Sequence, residues 1–487
     1  MSITPSKRSR WVYVVAGAVT TVLLALAGRY GPHRDELYFI AAGNHPQFGY
    51  PDQPPLTPLV AAAADHLAPG SLFALRLLSA VLIGGVVLLT ADLAREFGGD
   101  ARAELLAAIT VGTAAGVLAV GHLLSTSTLD LFAWTVVIRL VVAVLHRDAP
   151  RGWLWVGLAA GIGLENKSLV APLLAGLVLG IVLTPELRKH LRSPWAWAGA
   201  ALALLLWAPN LWWQAQNGWP QAALSADIRA EYGTLGGVAQ LIGFQFLLLN
   251  WLGAVLAWHG LMALLRREAW RYARPVAIAY LALLLFFIIT GGKPYYLTGL
   301  LAPLAAAGAV AVGNRWSASE IKRFTVLVAV TALIPLPALL PVLPAQTFAD
   351  SFFPALNEDG LETIGWPRVV AQVRAVADTL PADQRRTAVV VTSNYGEAGA
   401  LLWYGGTPPV YSGHNGFGDW GPPPESSGPV LYVGEQVPGA DVLTGCRRTA
   451  TLDTGADNEE NGNGIWTCAG PTGSWAQAWP HLRHLSA

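Results

Sequence analysis

The sequence predicts an α-helical polytopic membrane protein of about eleven transmembrane helices followed by a C-terminal extracytoplasmic α/β domain. Three observations predict it. Hydrophobic residues make up 53% of the 487-residue chain and charged residues only 13%, where soluble domains carry about 25% charge. Long apolar runs recur from the N-terminus to about residue 343, and the composition then shifts to Pro, Gly, Asp, Thr and Asn. The expected division is therefore 1–343, membrane domain, and 344–487, extracytoplasmic domain.

The apolar runs are Trp11 to Gly28, Leu72 to Leu93, Glu104 to Leu124, Leu129 to Leu145, Trp153 to Leu164 and Leu169 to Leu183. Those after them are Trp195 to Trp213, Leu235 to Leu265, Pro275 to Ile289, Tyr296 to Val312 and Phe324 to Leu343. Most reach the roughly 20 residues that span a bilayer as a helix.

Net charge is zero, which leaves no basic surface for nucleic acid, so the positive residues inform through their positions. Lys7, Arg8 and Arg10 precede the first run, and further clusters fall at Arg95 and Arg102, Arg147 and Arg151, and Arg188, Lys189 and Arg192. Arg266, Arg267, Arg271 and Arg274, then Arg315, Lys322 and Arg323, complete them. Threading the chain through the runs puts all of these on one side, cytoplasmic by the positive-inside rule. The loops around Asp35, Asp130, Lys167, Gln214 to Thr234 and Lys293 are then extracytoplasmic, as is the tail. The first run has a basic leader and an Ala25-Leu26-Ala27 ending compatible with signal cleavage; cleavage would leave the acidic loop on the same side.

In the tail, Ala388 to Thr392 and Pro429 to Val433 read as short strands and Gly396 to Tyr404 as a helix, giving a small α/β domain of about 140 residues. Cys446 and Cys468 are the chain's two cysteines. Both fall where the compartment permits a disulfide, which would stabilise the domain by about 3 kcal/mol; two separate thiols are the other reading.

Candidate chemistry gathers at the extracytoplasmic ends of the helices. Arg34-Asp35-Glu36-Leu37-Tyr38 places an acidic pair at a membrane surface, where a carboxylate is costly unless it is paired or functional. Adjacent residues of a helix point about 100° apart, so one of the pair can face a cavity and serve as a general base. A salt bridge from Asp35 to Arg34 or Arg29 is the plainer reading. Tyr50 to Pro55, which includes Asp52, is a stiff, Pro-rich segment that shapes a site wall or simply makes a turn. Asp130 follows Ser125-Thr126-Ser127-Thr128 and fits either a site or the first turn of a helix. Lys167 and Lys293, with Arg76 in the same class, suit an anionic ligand such as a lipid phosphate, or else snorkelling and pairing, Lys167 with Glu165 for instance. His414 and Trp420 either contact an acceptor or hold their Gly- and Pro-rich loop.

These residues together resemble the multi-spanning GT-C glycosyltransferases, specifically the bacterial branch related to protein O-mannosyltransferases and to the aminoarabinose transferases of lipid A. The resemblance rests on Asp35-Glu36 with Tyr38, Pro54-Pro55-Leu56, Arg76 in Ala74-Leu75-Arg76-Leu77-Leu78-Ser79-Ala80, Leu129-Asp130, the Lys167 turn and Lys293-Pro294-Tyr295-Tyr296. In the tail it extends to Asn394-Tyr395-Gly396-Glu397-Ala398-Gly399 and Ser412-Gly413-His414-Asn415. It implies transfer of a sugar, hexose or pentose with mannose as one case, from a polyprenyl-phosphate donor to an extracytoplasmic acceptor hydroxyl, with inversion. Asp35 is then the general base with Glu36 beside it, and Tyr38, Tyr50, Asp52, Arg76, Asp130, Lys167, Lys293 and Tyr295 bind substrate. The family's usual His before Pro-Pro-Leu is replaced by Asp52-Gln53, which puts any metal or phosphate contact of that His in doubt. No metal is expected to be required. The expected partners are the lipid-linked donor, a lipid, glycan or protein acceptor and membrane lipid.

A transporter or flippase for lipid-linked sugars is the competing class. It fits less well, because its ionisable groups belong near mid-membrane with paired halves. A binding protein that works through its outer domain is weaker still, and an inactive enzyme of the same fold would tolerate loss of Asp35.

Overall fold

The computed structural model describes residues 9–486; Lys7 and Arg8, expected to lead the first span, lie outside the described residues. The chain divides into two compact units. One comprises Met1–Ala27, Arg76–Gln216 and Ser225–Leu336, the other Gly28–Leu75, Asn217–Leu224 and Pro337–Ala487.

The first unit is helical. The apolar runs fold as the helices Arg10–Leu26, Leu72–Glu96, Thr126–Arg147, Trp153–Leu164, Val170–Leu183, Pro194–Gln216, Arg274–Thr290, Thr298–Gly313 and Ala318–Thr331, with bent pairs between them. Two expected single spans are broken: Ala101–Gly112 meets Ala115–His122 at 56°, and Leu235–Leu247 meets Asn250–Arg266 at 92°. Three described helices are long and apolar enough to cross a membrane alone, or five if each bent pair counts as one. That is fewer than the run count. Trp153–Leu164 has 12 residues, about 18 Å of helix against a hydrocarbon core of about 30 Å, and the last run is broken after Thr331, with a short turn of helix at Leu336–Leu339. The helices pack through small residues, as lipid-facing bundles do. Gly260 and Gly308 let Asn250–Arg266 and Thr298–Gly313 touch backbone to backbone: a Cβ on either would lie 1.9 Å from a carbonyl oxygen of the other helix.

The second unit is built on a five-stranded sheet of order β2-β1-β3-β6-β5. Its strands are β1 (Val389–Thr392), β2 (Val410–Ser412), β3 (Val430–Gly434), β5 (Arg447–Thr451) and β6 (Gly464–Cys468); β4 (Leu443–Thr444) and β7 (Gly470–Pro471) form a separate pair. β1 runs parallel to β2 and β3, with Val391 opposite Tyr432, while β6 is antiparallel to β3 and β5. Alternation sends Val390, Leu431, Val433 and Ile465 to one face, under helix Trp366–Asp378, and Val389, Val391, Val430 and Tyr432 to the other, under helix Trp475–Leu482. Cys446 and Cys468 are joined as a disulfide.

Where the sequence suggested a division at 343/344, the second unit takes up the chain from Pro337 and includes earlier segments as well. Gly28–Leu75 belongs to the same unit, and Leu37, 1% exposed, is part of the core beneath helix Trp366–Asp378. Burial of an apolar side chain from the first loop is what joins segments so distant in sequence.

Candidate functional site

Helix Arg34–Gly43 sets the first group of residues. His33 caps it: its Nδ1 accepts from the Asp35 N–H at 3.2 Å, and Glu36 reaches back to accept from the His33 N–H at 2.9 Å. Glu36 is fully buried. Glu36, expected beside Asp35 as a catalytic residue, is here part of a reciprocal cap that satisfies orphan donors of the first turn. Asp35, one residue earlier in the helix, keeps its side chain 38% exposed.

The expected Asp35 salt bridge gives way to other partners. Arg34 pairs with Glu459 and Glu362, and Arg29 donates to the carbonyls of Val342 and Leu343. Asp35 Oδ1 instead accepts from the Tyr395 hydroxyl at 2.8 Å. Tyr395 opens helix Tyr395–Tyr404, whose N-terminus is fixed by Asn394 and Glu397 in a capping box. That helix lies against Arg34–Gly43 because Gly396 and Gly399 face it. A Cβ on Gly399 would meet the Leu37 Cβ at 2.8 Å, and one on Gly396 the Arg34 Cβ at 2.8 Å.

A second tyrosine–carboxylate pair adjoins the first. Tyr38, 1% exposed, donates to Asp52 Oδ1 at 2.9 Å and accepts from the Gly416 N–H at 3.1 Å, and its ring lies 5.0 Å from that of Tyr395. Burial pushes the Asp52 carboxyl up to about 7, against the Tyr38 hydrogen bond, which favours the ionised form. Burial also raises the hydroxyls of both tyrosines. Tyr50 is wholly buried, and its hydroxyl donates to Ala42 O at 2.7 Å, so it ties the Pro-rich segment to the end of helix Arg34–Gly43. Gln53, 4% exposed, leaves both amide atoms without a hydrogen bond. Sequence reasoning noted it only as the replacement for a family His.

His414 is a support. Its Nδ1 accepts from the Tyr395 N–H at 3.3 Å and its Nε2 lies 2.8 Å from Ser486 Oγ; burial lowers it to about 3, so it is neutral. Trp420 stacks on His45 at 4.1 Å.

The second group lies in the first unit. A cleft is lined by Val120, Ser127, Asp130, Leu131, Lys167, Leu169, Tyr295, Tyr296, Thr298 and Gly299. Ser125, not Asp130, caps helix Thr126–Arg147, accepting from the Thr128 N–H. Asp130 sits beyond the first turn, 8% exposed, with Oδ1 lacking a hydrogen bond. Lys167 Nζ donates to Ser127 Oγ at 3.1 Å and lies 5.4 and 5.5 Å from the ring centroids of Tyr295 and Tyr296. Lys293 is half-buried in the same connection as Tyr295 but does not line the cleft. Arg76, 1% exposed, donates to Ala27 O at 2.7 Å, an anchoring contact at the end of the first helix.

The apolar helices are those of an integral membrane protein, and the chain shares the fold of two solved structures. The crystal structure of apo ArnT from Cupriavidus metallidurans matches it over 95% of this chain and 98% of that one, with TM-score 0.58 and 16% identity. The same protein bound to undecaprenyl phosphate matches with TM-score 0.57 and 17% identity over 95% of this chain and 99% of that one. Within that fold, residues 52–213 match the family described as dolichyl-phosphate-mannose-protein mannosyltransferase, a stretch that contains Asp52, Arg76, Asp130 and Lys167. An undecaprenyl phosphate-alpha-4-amino-4-deoxy-L-arabinose arabinosyl transferase of Pseudomonas aeruginosa is 31% identical over 48% of this chain and 45% of that protein. A second such transferase, from Pseudomonas fluorescens, is 28% identical over 50% and 47%. The chain spans about half the length of the curated relatives it matches. The matched family and these curated relatives are named for sugar transfer.

Proposed function

We propose that this chain is a membrane glycosyltransferase that moves a sugar from a polyprenyl-phosphate donor to an acceptor hydroxyl on the extracytoplasmic face, with inversion. The observation that carries this reading is Asp35: a partly exposed carboxylate at the start of a capped helix, oriented by the Tyr395 hydroxyl and not consumed by Arg34 or Arg29. The names of the relatives, which pair undecaprenyl phosphate with a transferred sugar, support the donor class.

In the step proposed, Asp35 takes the proton of the acceptor hydroxyl as that oxygen attacks the anomeric carbon. The new glycosidic C–O bond forms while the bond from the anomeric carbon to the phosphate oxygen breaks, and the polyprenyl phosphate leaves with the electron pair. Lys167 stabilises charge developing on that phosphate. Asp130, Tyr295 and Tyr296 shape the cleft that holds it, and Asp52 with Tyr38 orders the loop beside Asp35. The step calls on no metal. The sidedness of the basic clusters supports a cytoplasmic N-terminus and an extracytoplasmic second unit, and the bacterial relatives support a bacterial plasma membrane.

The test is sugar transfer in proteoliposomes supplied with radiolabelled polyprenyl-phosphate sugars. Asp35→Asn, still folded and inserted, is expected to lose about two orders of magnitude or more. Wild-type rates in that variant would make Asp35 structural and return the protein to the non-catalytic readings.

A further inference from the structure

Away from Asp35 and Asp52, the second unit gathers a separate set of acids. Glu362, from the turn Glu358–Thr363, and Glu459 and Glu460, from the loop between β5 and β6, each bring a carboxylate oxygen within 4.8 Å of the other two. Glu460 is 1% exposed, the Glu362 side chain 15% and that of Glu459 54%. Among the described residues Arg34 is the cation in ion-pair contact with Glu362 and Glu459. Three carboxylates against one guanidinium leave a formal charge of −3 + 1 = −2. Burial and mutual repulsion push the Glu362 and Glu460 carboxyls up.

Hydrogen bonding does not settle the group. Glu460 Oε1 accepts from Asn394 Nδ2 at a long 3.5 Å, while its Oε2, in a residue almost wholly buried, has no partner. The next carboxylate inward, Glu397, differs: it accepts from the Ser393 and Asn394 N–H groups and from Asn463 Nδ2. A buried acceptor without a donor is costly, and among neighbouring anions either a bound proton or a cation relieves it.

We propose that Glu362, Glu459 and Glu460 form a binding site for a calcium ion. The donor set is all oxygen, which selects hard cations over zinc or copper. The charge of −2 matches one divalent ion, and calcium accepts the irregular geometry of a turn and a loop where magnesium demands an octahedron. Bound there, the ion would lock the turn Glu358–Thr363 to the β5–β6 loop beside Arg34, and so steady the first turn of the helix that carries Asp35. Its role is structural and its binding is independent of the transfer reaction.

Terbium reports on the site, because Trp366 donates its indole N–H to the Glu362 carbonyl at 3.0 Å and can serve as the antenna. With the full chain in detergent, indole-excited terbium luminescence should saturate and be displaced by CaCl2. Glu460→Gln and Glu459→Gln should each weaken it by about ten-fold or more, and CaCl2 should raise the unfolding midpoint of the wild type but of neither variant. Glu459 is exposed, so Glu459→Gln keeps the fold and carries the test if Glu460→Gln does not fold. Luminescence that calcium fails to displace, displacement by magnesium alone, or equal affinity in wild type and Glu459→Gln would overturn the proposal.

Discussion

Tyr395→Phe separates the orientation of Asp35 from its presence. The substitution keeps the ring that packs 5.0 Å from Tyr38 and beneath Arg34 and removes only the hydroxyl that donates to Asp35 Oδ1 at 2.8 Å. A hydrogen bond to a charged acceptor contributes about 1.5–3 kcal/mol. Asp35 is 38% exposed, and water replaces part of a lost donor there, which puts the expected effect at the lower end. About 1.5 kcal/mol corresponds to roughly a ten-fold fall in kcat/KM. The assay is transfer from a radiolabelled polyprenyl-phosphate sugar in proteoliposomes, with thermal unfolding as the control for the domain. A variant that unfolds like the wild type yet transfers about ten-fold more slowly supports the positioning role. Unchanged kcat/KM would refute it, and a loss as large as that of Asp35→Asn would mean that Tyr395 itself takes part in the chemistry.

Lys167→Met should reduce transfer by about a hundred-fold, with weakened inhibition by free undecaprenyl phosphate as the accompanying sign, since removing one stabiliser of developing charge typically costs that much. Gly399→Ala places a Cβ 2.8 Å from that of Leu37 and 3.1 Å from its carbonyl carbon; overpacking of this kind costs about 1–3 kcal/mol, and an unchanged unfolding midpoint would show that the helices can part freely. For Asp52 the folded carboxyl is raised to about 7 from 3.8. Its contribution to stability is therefore complete below the unfolded value and is lost as pH rises through about 7. Thermal stability should fall across that window, and Asp52→Asn should flatten the fall; an identical pH profile in the variant would count against it.

The pattern of apolar runs made the helices legible, because burial in lipid imposes a long uninterrupted stretch that few other structures share. The breaks were not legible. The Leu235–Leu265 run is apolar across its 92° bend, and its second helix begins at Asn250, whose positive φ of 57° and cap of the Leu252 and Gly253 N–H groups turn the chain. In the tail, the strands at 388–392 and 429–433 announced themselves by Val-rich stretches, and the two cysteines by compartment. Which residue holds Asp35 was out of reach: Tyr395 lies 360 positions away, and its capping box Asn394-x-x-Glu397 marks a helix start without saying what that start faces. That one of Asp35 and Glu36 turns away from the other was expected from their 100° separation, but that Glu36 is the one that caps the helix was not.

By itself the sequence determined that the chain lives in a membrane, where its helices run, that a small α/β region follows, and which acids and bases stand at the helix ends. Hydropathy and period are local properties that neighbouring residues carry. Only the tertiary structure decided that the first loop and the tail share one core, that Glu36 caps while Asp35 is held by a tyrosine, that Lys167 meets Ser127 and two tyrosines, and that three glutamates converge on Arg34. Those are pairings between distant segments. They follow from which apolar faces must be buried together, Leu37 beneath Trp366 and Val370 and Gly399 against Leu37, and the polar partners fall where that packing puts them.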